Sequence, residues 1–142
     1  MMGVEYQIVI RLFVAMILGG IIGWERERRR KYAGLRTHML VCLGSALITV
    51  AGIYGFAGAG SDPSRLAAGI ITGIGFLGGG AIFASRGEVH GLTTAASIWL
   101  AAAIGLATGT GMFIAAVAST IFAIIILELW IIEPEKEKKK ED

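Results

Sequence analysis

The chain has 142 residues, of which 55% are apolar, 17% charged and 21 glycine, and its formal net charge is +2. A soluble domain of this size carries roughly a quarter charged residues and cannot hide so much apolar surface from water, so the composition excludes an ordinary water-solvated core and points to lipid. The small charge, with no basic stripe interleaved with aromatics, excludes nucleic acid as a partner, and the single cysteine, Cys42, excludes a disulfide framework or a multi-cysteine metal site.

Five apolar segments follow one another, at residues 6–24, 38–57, 66–84, 93–108 and 112–132. About 20 apolar residues cross a hydrocarbon layer of roughly 30 Å. Four segments meet that length, whereas the fourth is short and is followed by the turn Gly109-Thr110-Gly111. The first segment ends in Trp24-Glu25-Arg26 rather than in a small-residue cleavage site, so it reads as a mature helix. Arg11, inside it, reads as an edge anchor that snorkels to the outer surface. With five spans, the basic residues of 25–36, Arg86 and the lysines of 133–142 share one face, which the positive-inside rule assigns to the cytoplasm. The N-terminus is then outside, and a membrane domain, 1–132, is followed by a charged cytoplasmic tail, 133–142. Trp24, Glu128 and Trp130 fall at the cytoplasmic boundary. The expected fold is all-α, an integral membrane protein of five transmembrane helices in a bacterial inner membrane.

Two stretches of the chain resemble each other. Leu18-Gly19-Gly20, a charged loop and Gly34-Leu35-Arg36-Thr37 are echoed by Leu77-Gly78-Gly79-Gly80, a second loop and Gly91-Leu92-Thr93-Thr94. This reads as a duplicated helical hairpin plus one further helix, with the copies related by an axis along the membrane normal. The repeat places two helix N-termini on the cytoplasmic side, with Thr37 and Thr93 or Thr94 as N-caps. The candidate site is therefore a polar cluster of Glu25, Arg26, Arg36, Thr37, His38, Thr93 and Thr94. Partial positive charge at the helix ends suits an anion, either an external phosphate or carboxylate or the protein's own Glu25 locked to Arg36.

Helices in lipid associate through close packing of small residues. Gly19 and Gly23, Gly69 and Gly73, Gly75 and Gly79, Gly105 and Gly109, and Ala115 and Ser119 are spaced four apart, on common helix faces. With Gly78 they predict a tightly packed bundle, and the same grooves suit a homodimer. No catalytic constellation, metal-ligand spacing or cofactor site can be assembled from the remaining residues. The run Gly73-Ile74-Gly75-Phe76-Leu77-Gly78 matches a dinucleotide-binding spacing only formally, since it lies in an apolar span. His38 and His90 read as hydrogen-bonded boundary residues, Cys42 as a small core residue, and Trp99 as an indole whose N–H needs a partner.

Several of these runs together resemble the MgtC/SapB family: residues 19–26, Ala33-Gly34-Leu35-Arg36-Thr37-His38, residues 73–78, and Gly91-Leu92-Thr93-Thr94-Ala95-Ala96 with Ile98-Trp99 and Ala103-Ile104-Gly105. The likeness runs from about residue 16 to residue 126. It implies a bacterial inner-membrane protein whose best-known relatives are virulence factors that support growth at low Mg²⁺. Those relatives regulate other membrane proteins, notably by inhibiting the F-type ATP synthase, with effects on cytoplasmic pH, ATP and phosphate uptake. They carry a soluble domain after the membrane part, where this chain has only a charged tail, and an asparagine at the position of Thr93 that is tied to function there. The reading that follows is a non-enzymatic regulator that docks on a membrane partner. A small transporter or channel for Mg²⁺, protons or phosphate is the alternative.

Overall fold

A computed structural model of the chain describes residues 2–56, 62–85 and 87–129. Five helices run in order: α1 (Met2–Arg28), α2 (Leu35–Val50, continued by a π-helical turn over Ala51–Gly55), α3 (Pro63–Gly80), α4 (Leu92–Thr110) and α5 (Phe113–Glu128). A two-stranded antiparallel ribbon, β1 (Phe83–Ser85) and β2 (Glu88–His90), joins α3 to α4, with Phe83 opposite His90 and Ser85 opposite Glu88. Three helical stretches are long and apolar enough to cross a membrane: Gly3–Arg28, Leu35–Gly55 and Leu92–Thr110.

Local chemistry sets the helix ends. At the end of α1 the Lys31 N–H donates to the Arg26 carbonyl (3.0 Å) and the Arg30 N–H to the Glu27 carbonyl (2.9 Å), with Arg30 at φ 53°. This is the paired-bond stop that glycine usually makes; a non-glycine residue there costs roughly 1–2 kcal/mol. The end of α4 makes the same stop with Gly111 at φ 89°, where the conformation is free of strain. Asp62 caps α3 by accepting from the Ser64 N–H (2.9 Å), and Pro63 opens the first turn; the Ser64 hydroxyl, and then its N–H, hold the Asp62 carboxyl below the usual range.

Three expectations are corrected. The fourth segment is a full span of 19 residues, because Leu92 and Thr110 extend it at both ends. The third stops at Gly80 rather than at residue 84, since three successive glycines are poor helix formers and the ribbon claims Phe83–Ser85. Neither Thr37 nor Thr93 or Thr94 is an N-cap: Gly34 and Gly91 hold those positions, and the threonines lie within the first turns. Trp130 and the tail, 133–142, lie outside the described residues, as does Arg86.

The core is organised around α2, which α1 and α4 grip from two sides. Small residues make this possible. A Cβ added at Gly19 would stand 2.7 Å from the Cys42 Cβ, one at Gly23 2.7 Å from the Leu35 Cα, and one at Gly109 2.7 Å from the Thr49 Cβ. At Gly105 it would overlap the Cys42 carbonyl. Ala15, Leu18 and Ile22 of α1, Cys42 and Ala46 of α2, and Ile104 of α4 fill the space between them. On α5 the buried face is Ala116, Thr120, Ala123 and Leu127, one position out of phase with the expected Ala115 and Ser119. Its other face, with Ile114, Ile121, Phe122, Ile125 and Ile126, is exposed, as lipid solvation requires.

The glycines of α3 behave differently. Gly78 makes ordinary contact with Ala95 of α4, whereas Gly69, Gly73, Gly75 and Gly79 have nothing within 4 Å of an added Cβ. They therefore do not hold this bundle together. Alanine at Gly73 is expected to raise stability slightly, by about 0.5–1 kcal/mol, through helix propensity. Alanine at Gly105 is expected to lower it by about 1–3 kcal/mol through overpacking. Thermal unfolding in detergent, followed by size-exclusion, reads both signs.

Candidate functional site

The last turn of α1, the first turns of α2 and α4, and the end of α5 meet at one end of the bundle. Glu25 and Arg26 are buried there although both are charged, at 2% and 3% exposure. Glu25 is 3.8 Å from Arg26 Nη1 and is paired with Arg29 Nε, one helical turn on. Arg29 also pairs with Glu128 of α5, whose other oxygen accepts from Arg28 Nη2 (2.8 Å). Arg28 in turn lies over the Trp24 ring, 5.3 Å from its centroid. Charges taken out of water persist only when paired this closely.

Arg26 reaches across to α4, where Nη2 donates to the Thr94 hydroxyl (3.3 Å). Its Nε has no hydrogen-bond partner among the described residues. Beside it, fully buried His38 bridges α2 and α4. Nδ1 lies 2.9 Å from the Gly34 carbonyl and Nε2 lies 3.0 Å from the Ser97 hydroxyl. A carbonyl can only accept, so Nδ1 carries a proton to Gly34, while the Ser97 hydroxyl at Nε2 is itself directed to the Thr94 carbonyl (2.8 Å).

The two helix N-termini are served differently. Glu27 Oε2 accepts from the Leu35 N–H (2.8 Å), so α2 has its own carboxylate at its positive end. Among the described residues no side chain caps α4. Thr93 in its first turn instead lines a cleft of about 550 Å³ with Arg26, Arg29, Lys31 and the apolar Ile126, Leu127 and Leu129. The arrangement offers cations and a hydroxyl on one wall and hydrocarbon on the other. That is chemistry suited to holding an anion and an attached apolar group. Among the described residues no cluster of His, Cys, Asp and Glu is placed to hold a metal ion.

Of the residues picked from sequence, Glu25, Arg26, His38 and Thr94 are brought together in the interior, and Thr93 lines the cleft. Arg36 and Thr37 are exposed, because α2 starts at Leu35 and turns His38, not its two predecessors, inward. The expected Glu25–Arg36 lock is not made: Glu25 pairs with Arg26 and Arg29, and the carboxylate at the α2 N-terminus is Glu27. Sequence reasoning missed Arg29, Lys31 and Ser97. The four-residue spacing of Glu25 and Arg29 was the available signal. At the other end of the bundle Arg11 does not simply snorkel. Its Nη1 donates to the Gly109 carbonyl (2.7 Å), and its guanidinium lies 5.7 Å from the Tyr54 ring centroid. His90 stacks on Phe83, and Trp99 is about half exposed.

The MgtC family pattern matches residues 12–132. The chain is 45% identical over 130 residues to a putative magnesium transporter, YhiD, of Escherichia coli, covering 87% of this chain and 60% of that protein. It is 45% identical over 112 residues to the protein MgtC of Brucella abortus, covering 79% and 46%, and 42% identical over 116 residues to the protein MgtC of Salmonella typhimurium, covering 82% and 49%. The chain thus spans between about half and three-fifths of the length of these relatives. No solved structure matches it.

Removing charge from the two carboxylates separates buried from rim pairing. Glu25→Gln is expected to destabilise by about 3–5 kcal/mol, because it strands buried guanidinium charge. Glu128→Gln, at a third exposure, is expected to cost no more than about 1 kcal/mol. Thermal unfolding of each variant in the same detergent measures the ratio.

Proposed function

The chain belongs to the MgtC family, and from that premise we propose that it is a non-enzymatic regulatory module that acts by docking on another membrane protein. It is a multi-pass membrane protein, and in our reading the arginine-rich end faces the cytoplasm and the N-terminus lies outside. One observation carries the proposal. The glycine face of α3, with Gly69, Gly73, Gly75 and Gly79, is open on the outside of the bundle. Gly75 and Gly79, with Phe76, Leu77 and Gly80, line a groove of about 520 Å³, and Gly69 and Gly73 are likewise open. In hydrocarbon a glycine face gains nothing from lipid, but it lets a neighbouring helix approach backbone to backbone. Gly19 and Gly23 of α1 and Gly105 and Gly109 of α4 are filled by α2, so the open four-residue glycine pairs on α3 fit a transmembrane helix from elsewhere. The partner implied by the family resemblance is the F-type ATP synthase, and the magnesium, phosphate and ATP homeostasis linked to such relatives would follow from that contact.

The name of the E. coli relative, a putative magnesium transporter, favours a second reading in which the module conducts Mg²⁺. Uptake of Mg²⁺ into liposomes containing the purified protein, above that of empty liposomes, would establish that reading in place of the first.

A photo-crosslinking residue at Gly73, activated in native bacterial membranes, tests the docking face. An adduct with a membrane subunit of the ATP synthase is expected, lost when Gly69 is changed to Leu, while the monomer's thermal stability is not lowered. Adducts with lipid alone, or only with a second copy of the chain, would overturn the proposal.

A further inference from the structure

We infer that the cleft beside the α4 N-terminus is a binding site for the phosphate group of an anionic phospholipid. The inference is independent of any protein partner on α3. It starts from an electrostatic imbalance. The positive end of the α4 dipole has no capping side chain among the described residues, and the side chain beside it is a cation, Arg26, bonded to Thr94. Like signs converge there in a water-poor setting, where their repulsion is largest. At the equivalent end of α2 the protein supplies Glu27; at α4, among the described residues, the nearby carboxylates Glu25 and Glu128 are both paired with Arg29. Arg26 is nine-tenths buried, lines the cleft, and keeps an Nε–H with no acceptor among the described residues. A phosphate oxygen in the cleft would accept from that guanidinium, from Thr93 and from Lys31, and would separate the like charges.

The apolar wall identifies which phosphate. Ile126 and Leu129 are exposed and Leu127 is buried, and through Ile126 this wall joins the exposed apolar face of α5. A soluble anion makes no use of that wall, whereas a phospholipid places its phosphate at the helix ends and its acyl chains along it. An anionic lipid such as phosphatidylglycerol is favoured over a zwitterionic one, because among the described residues three cations (Arg26, Arg29 and Lys31) and no carboxylate line the cleft.

The purified full chain, delipidated in a non-ionic detergent, is titrated with phosphatidylglycerol, phosphatidylcholine and inorganic phosphate, with retained lipid counted by native mass spectrometry and thermal stability read in parallel. Phosphatidylglycerol is expected to bind about tenfold more tightly than phosphatidylcholine, the size of one charge-assisted hydrogen bond. Lys31→Glu and Thr93→Val, both at exposed positions where folding is unaffected, should each weaken it several-fold. Arg30→Asn, which removes a neighbouring charge outside the cleft, should not. Equal binding of the two lipids, or an equal loss in Arg30→Asn, would overturn the site in favour of diffuse surface charge. Saturation by inorganic phosphate with no competition from phosphatidylglycerol would overturn the lipid assignment.

Discussion

The structure depends on how closely α1 and α4 approach the backbone of α2. Lipid tails solvate leucine as well as a protein core does, so burying large apolar side chains gives transmembrane helices little reason to associate. Dispersion between atoms brought within contact distance does, and it falls off steeply with a small gap. Gly19 and Gly23 on one side, and Gly105 and Gly109 on the other, bring main chains into contact along α2, with Cys42 between them. Any Cβ at these four positions would push the helices apart. Once they are set, the register of α2 against α4 is set too, and His38 meets Ser97 as a consequence.

That register explains how a lipid-solvated bundle tolerates its buried charge. The charges are confined to the two ends of α4, and both are met by arginines from α1. Arg11 binds a carbonyl at the C-terminal end, where a cation is favoured. Arg26 sits at the N-terminal end, where a cation is not, held by Glu25 and Thr94. One helix of 27 residues therefore reads both poles of its neighbour. The favourable contact fixes the depth of α1, and the unfavourable one creates an electropositive recess that a ligand can relieve.

Much of this was legible in the residues. The five helices followed from apolar length and glycine punctuation, and the Glu25, Arg26, His38 and Thr94 grouping from the repeated Gly-Leu-x-Thr openings. What failed did so for physical reasons. Threonine is a competent cap, but in both repeats the preceding glycine already ends the turn, which moves Thr37 to the exposed face. The ribbon at Phe83–Ser85 was hidden in an apolar run whose length alone suggested helix; the glycines before it and Gly87 within it were the cue. Four-residue glycine spacing marks a helix face, but it cannot say whether the neighbour belongs to the same chain. On α1 and α4 it does, and on α3 it does not. The Arg29–Glu128 bridge spans 99 residues and depends on where α5 ends, which no local pattern encodes.

Lipid-phase carbene footprinting tests the central arrangement most directly, because a diazirine dissolved in the bilayer inserts into whatever side chains the lipid touches. With the protein reconstituted alone in liposomes, Ile114, Ile121 and Ile125 should be heavily labelled, while Cys42, Ala46, Ala101 and Ala102, all at 0% exposure, stay unmodified. Labelling of Cys42 and Ala46 at the level of Ile114 would mean that α2 faces lipid, and the account would be wrong.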